Sequence, residues 1–79
     1  MEKKVERVLE LYVRLLEGKL IQKGICALRY EVTPRTIQRD IDDIRCYLSL
    51  HGEADEAVLY DREKEGFYLG REKSRHSRW

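Results

Sequence analysis

The chain has 79 residues, enough for one domain, and its 16 Lys and Arg against 15 Asp and Glu leave a net charge of +1. Hydrophobic residues make up 42% and charged residues 39%, which excludes a disordered polar chain and suits a small, highly charged helical domain. A domain this small buries only about 60 to 65% of its unfolded surface, so self-association would be a natural source of added stability.

The opening Met1-Glu2-Lys3-Lys4 runs straight into a mixed-charge helical pattern, so no secretory leader is expected. No apolar run approaches the roughly 20 residues of a membrane span. The expectation is a cytoplasmic, nucleoid-associated protein with no membrane partner. Cys26 and Cys46 do not make a disulfide framework and read as free thiols, Cys26 in the core and Cys46 exposed. Together with His51 and His76 they match no zinc-finger spacing, so no metal and no cofactor are expected.

Val5, Val8, Leu9, Tyr12, Leu15 and Leu16 recur at steps of three and four, which predicts an amphipathic helix over residues 3–17 with these side chains facing the core. Gly18 stands where a glycine stops a helix. A second helix is predicted over residues 22–30, with Cys26, Ala27 and Tyr30 inward and Ile21 packed on Cys26 as a hydrophobic staple. Gly24 weakens this helix by up to about 1 kcal/mol relative to alanine. Ile25 and Leu28 are also apolar and imply a second buried face or a partner. Residues 31–33 form a tight turn.

Thr33 is a good N-cap and Pro34 is ideal at the first helical position, so the clearest helix start in the chain is here. The third helix is predicted over residues 34–48. At about 100° per residue, Ile37, Ile41, Ile44 and Leu48 fall on one narrow stripe, and Arg35, Arg39, Asp42 and Cys46 fall opposite it. Thr36 and Gln38 lie on the flanks. After the break at Gly52, residues 58–60 and 67–69 read as short strands joined by a polar loop over residues 61–66.

The predicted fold is therefore mainly α with a β-hairpin, a winged helix-turn-helix of three helices and a two-stranded wing over residues 1–70. A basic tail over residues 71–79 carries Arg71, Lys73, Arg75 and Arg78 against the single acid Glu72. It reads either as a disordered terminus or as an arm along phosphates.

A helix-turn-helix offers its second helix to the major groove of DNA, which is about 12 Å wide. Such a helix must present polar side chains near its N-terminus, where amides and dipole also favour phosphate. Arg35 and Arg39 lie one turn apart on the exposed face and suit a guanine edge or a phosphate. Gln38 suits adenine, and the hydroxyls of Thr33 and Thr36 suit phosphates. Arg62 and Lys64 at the hairpin tip suit an adjacent groove, diluted by Glu63 and Glu65. The expected partner is double-stranded DNA.

The run from Val32 through Thr33-Pro34-Arg35-Thr36-Ile37-Gln38-Arg39-Asp40-Ile41 to Arg45 resembles the helix-turn-helix of the bacterial WYL-domain transcriptional regulators. Their signature there is Val-Ser-x-Arg-Thr-Ile-x-Arg-Asp-Ile, part of which the deoxyribose-operon repressor family shares. Leu59-Tyr60-Asp61-Arg62 and Gly66-Phe67-Tyr68-Leu69 resemble the same family's wing, and the similarity spans about residues 5 to 70. The resemblance implies a winged helix, sequence-specific DNA binding, transcription regulation and usually a homodimer. By residue it supports Arg35, Thr36 and Arg39 as DNA contacts. Glu31 stands where the family often has glycine, which predicts a strained or reshaped turn. Family members normally continue into a large ligand-sensing WYL domain, so the chain is expected to be either an excised DNA-binding domain or a short protein without a sensor.

Other readings follow from the same residues. Arg35 and Arg39 could form a solvated face paired with Asp42 or Asp43. Asp40, Asp42 and Asp43 point in different directions on a helix, which disfavours a metal or catalytic pair and suggests that Asp40 pairs with a basic neighbour. Leu28, Tyr47 and Leu50 are surplus to one small core. With near-neutral charge they support an alternative, a winged-helix protein–protein interaction module. An enzyme is not expected, because no nucleophile–base pair or phosphate-cradling loop is present.

Overall fold

The computed structural model describes residues 3–51 and 56–71. Three helices come first: α1 (Lys3–Leu16), α2 (Lys23–Tyr30) and α3 (Pro34–His51). They are followed by the antiparallel strands β1 (Glu56–Asp61) and β2 (Gly66–Arg71), paired from Glu56 with Arg71 to Asp61 with Gly66. This is a winged-helix-like layout, mainly helical with one hairpin. The basic tail beyond Arg71 lies outside the described residues.

One element escapes sequence inspection. Ile21, between α1 and α2, exchanges two backbone hydrogen bonds with Phe67, at 2.8 and 2.7 Å, and so adds a one-residue third strand to the hairpin. Its side chain is fully buried. Gly66 makes this approach possible, since a Cβ there would lie 2.4 Å from Leu20 Cγ and 3.1 Å from the Ile21 carbonyl oxygen.

The core joins all the elements. Leu11 and Leu15 of α1, Cys26 and Ala27 of α2, and Ile37, Ile41, Ile44 and Leu48 of α3 meet Val58 and Phe67 of the hairpin. The isoleucine stripe of α3 is buried as its spacing predicted. The inward face of α1 needs correction. Val5, Leu9 and Leu16 are exposed, and Leu11 takes the central core position, with Val8 and Tyr12 partly buried beside it. The helix carries apolar residues on two faces, and periodicity does not say which face meets the core.

Element ends also shift. α2 begins at Lys23, with Gln22 as an extended N-cap that makes no side-chain capping bond. α3 continues to His51 rather than stopping near Leu48. The strands are each six residues long, because backbone pairing continues past their apolar centres.

Candidate nucleic-acid interface

The turn between α2 and α3 is built from backbone bonds. Glu31 caps α2 in the left-handed conformation, φ 57° and ψ 46°. The Val32 amide donates to the Ala27 carbonyl at 2.9 Å, which closes the last turn of α2. A left-handed residue with a Cβ costs roughly 1–2 kcal/mol more than glycine would. The strained turn expected at Glu31 is therefore present.

α3 then starts as its sequence requires. Thr33 Oγ1 accepts from the Thr36 amide at 3.2 Å and lies 3.1 Å from Thr36 Oγ1. The Thr33 hydroxyl is thus committed to the cap. Arg35 and Arg39 are exposed, and neither has a hydrogen bond or ion pair among the described residues. The solvated-face pairing with Asp42 or Asp43 does not occur: Asp43 binds Lys4 at 3.1 Å, and Asp42 faces Gln38 and Arg45. The Cα atoms of Arg35 and Arg39 are set about 6 Å apart along the helix axis.

A buried ion pair fixes the rotation of this helix. Asp40 is fully buried, and its carboxylate accepts both arms of the Arg7 guanidinium from α1, Nε to Oδ2 and Nη2 to Oδ1, the latter at 3.2 Å. The hydrogen bond to Asp40 is the main cause that raises the Arg7 pKa. Asp40 does pair with a basic residue, as expected, but one that is 33 positions away in sequence. Arg39 and Asp40 are adjacent in sequence, so holding Asp40 inward turns Arg39 outward by about 100°.

Gln38 is less free than its flank position suggested. Its Oε1 accepts from Lys23 Nζ at 3.0 Å, and its Nε2 donates to Asp42 Oδ1 at 3.1 Å. Lys23 also lies 5.9 Å from the centre of the Phe67 ring, so one ammonium links the start of α2, the exposed flank of α3 and the wing. Sequence inspection missed Lys23, because a lone lysine at a helix start carries no pattern.

The wing is docked at both ends. At its base, Arg45 of α3 donates to the Val58 carbonyl through Nε at 3.3 Å and Nη2 at 3.1 Å, and lies 5.3 Å from the Phe67 ring centre. At its tip, Gln22 Nε2 donates to the Lys64 carbonyl at 2.9 Å. Asp61 Oδ1 accepts from the Lys64 amide at 3.1 Å, and Glu65 takes a left-handed φ of 52°, which together fold the four-residue turn. Arg62 and Lys64 are exposed there beside Glu63 and Glu65. The structure thus brings Thr33, Arg35, Thr36, Gln38 and Arg39 together on one helix end, and holds Arg62 and Lys64 on a separately anchored tip.

Cys26 is buried and Cys46 is exposed, both as free thiols, as expected. Burial pushes the Cys26 thiol pKa up. No described helix is long and apolar enough to cross a membrane. In comparisons with known proteins, no family model, no curated protein and no solved structure matches this chain.

Proposed function

We propose that this chain binds double-stranded DNA sequence-specifically as a transcription regulator, with the N-terminal half of α3 in the major groove. The observation that carries the reading is a capped helix whose one face is locked by isoleucines and by Asp40, while Arg35 and Arg39 stand exposed and without a partner among the described residues. Arginine in that state can donate two parallel bonds to a guanine edge or neutralise a phosphate without first breaking an ion pair. Thr36 and Lys23 supply further donors. Gln38 would have to exchange its Lys23 and Asp42 partners before reading a base. Arg62 and Lys64 would reach neighbouring phosphates. The motif resemblance to WYL-domain regulators supports the same reading, including binding as a homodimer to a two-fold site.

The test is fluorescence anisotropy of a labelled random duplex at low salt, followed by a salt titration. Binding should fall steeply with salt, the slope rising by about 0.9 for each phosphate neutralised. No binding at tens of micromolar protein, or binding indifferent to salt, would contradict the reading. A second reading, a protein-interaction module, is favoured by one observation: the apolar residues left exposed on α1.

A further inference from the structure

A pocket of about 340 Å³ opens between α1 and α2, lined by Leu9, Glu10, Val13, Arg14, Arg29 and Tyr30. Glu10 and Arg14 stand four residues apart on α1, the spacing at which a glutamate and an arginine pair on a helix. They do not pair. Glu10 instead accepts from the Tyr30 hydroxyl at 2.6 Å, which ties the two helices together at the pocket wall. Arg14 is left with no hydrogen bond or ion pair among the described residues, and its Nε is buried without a partner. Arg29 is exposed and likewise has none among them. Burial pushes the Cys26 thiol pKa up, and Arg14 and then Arg29 pull it back, so both positive charges lie near one buried atom.

We propose that this pocket binds a small organic acid with a single carboxylate and an apolar body. Arg14 and Arg29 donate to the carboxylate, and the chain or ring of the acid lies on Leu9 and Val13, which are 57% and 48% exposed without it. A guanidinium partly stripped of water and lacking a counter-ion attracts an anion more strongly than a solvated one does, because its surroundings screen it less. Its planar fork also matches the two oxygens of a carboxylate. The charge of the lining selects the class. Two arginines against Glu10 leave one positive charge, which one carboxylate neutralises. A phosphate or a dicarboxylate would bring surplus negative charge beside Glu10, and an inorganic ion would leave Leu9 and Val13 in water. The volume is at the small end of ligand pockets, which suits an acid of a few carbons. None of the six lining residues is assigned to DNA, so the inference holds whether or not α3 meets a duplex.

Titrating sodium hexanoate or benzoate into the isotope-labelled full chain at constant ionic strength, followed by NMR, tests it. The expected result is a saturable shift of the Arg14 and Arg29 side-chain Nε–H signals with a Kd of about 1 mM, ordinary for so small an acid. Hexylammonium chloride and sodium sulfate should produce no saturable shift there. Arg14→Met and Arg29→Gln should each weaken binding by about tenfold or more. Arg29 is exposed, so its replacement leaves the core untouched. Lys4→Gln, which removes a positive charge outside the pocket lining, should leave the affinity unchanged. No saturation by either acid up to about 20 mM, or equal binding of sulfate, overturns the proposal. So does an affinity that survives both arginine changes or falls as far with Lys4→Gln.

Discussion

α1 and α3 are the two long helices of this protein, and they use their surfaces in opposite ways. α3 has one apolar stripe, fully buried, and a remainder that is mostly polar. α1 has two apolar stripes, one inside and one outside. A single stripe fixes how a helix is rotated in the fold, because only one orientation removes it from water. Two stripes leave the rotation to be settled elsewhere, here by the Arg7–Asp40 pair and by Leu11. The same difference separates the two surfaces functionally: the exposed side of α3 is set up for polar contacts, that of α1 for apolar ones.

Breaking the link between the two helices should have the largest effect. Asp40→Ala leaves the Arg7 guanidinium largely buried and unpaired, and should cost about 3–5 kcal/mol in urea unfolding. Replacing both residues by apolar side chains of similar size should cost far less. A mild effect of Asp40→Ala would mean that the pair does not hold α3 in place.

The contrast between stripes is sharpened by a matched pair of truncations. Ile41→Ala, fully buried in α3, should lose about 2–5 kcal/mol. Leu9→Ala, measured in dilute solution, should lose less than about 0.5 kcal/mol, as surface changes do. Equal losses would mean that both stripes are internal.

The turn that joins the helix pair offers a gain. Glu31→Gly should raise stability by about 0.5–1 kcal/mol, the relief of a left-handed Cβ less the extra freedom of the unfolded glycine. A loss of stability on this change would contradict the left-handed cap.

A pH dependence confined to alkaline solution is expected where α1 meets α2. Burial, reinforced by the 2.6 Å bond to Glu10, pushes the Tyr30 hydroxyl from 10.0 up to about 12. The fold therefore favours the protonated phenol. That stability is complete below pH 10 and is lost as pH rises from about 10 towards 12. Tyr30→Phe should flatten the thermal midpoint over this range, and an unchanged alkaline slope would rule out Tyr30 as its source.

Much of this architecture was legible in the residues. Thr33-Pro34 and the stripe of Ile37, Ile41, Ile44 and Leu48 define α3 without tertiary information, and the exposed arginines follow from them. The α1 face was half legible: Val8, Tyr12 and Leu15 face the core as their spacing predicts, but Val5, Leu9 and Leu16 satisfy the helical period as well as Leu11 does. The Ile21–Phe67 bridge was hidden because a one-residue strand has no period. The commitments of Gln38 and Lys23 depend on where α2 lies against α3, which no local pattern encodes.

The central claim is that the N-terminal half of α3 is the surface that meets DNA. Titrating isotope-labelled protein with a short duplex and following backbone amide shifts by NMR tests it residue by residue. The account predicts that amides from Thr33 to Arg39 shift first and most, with smaller changes at Arg62 and Lys64, and that Arg35→Ala combined with Arg39→Ala removes them. Shifts confined to the exposed stripe of α1, or none at any duplex concentration, would contradict it.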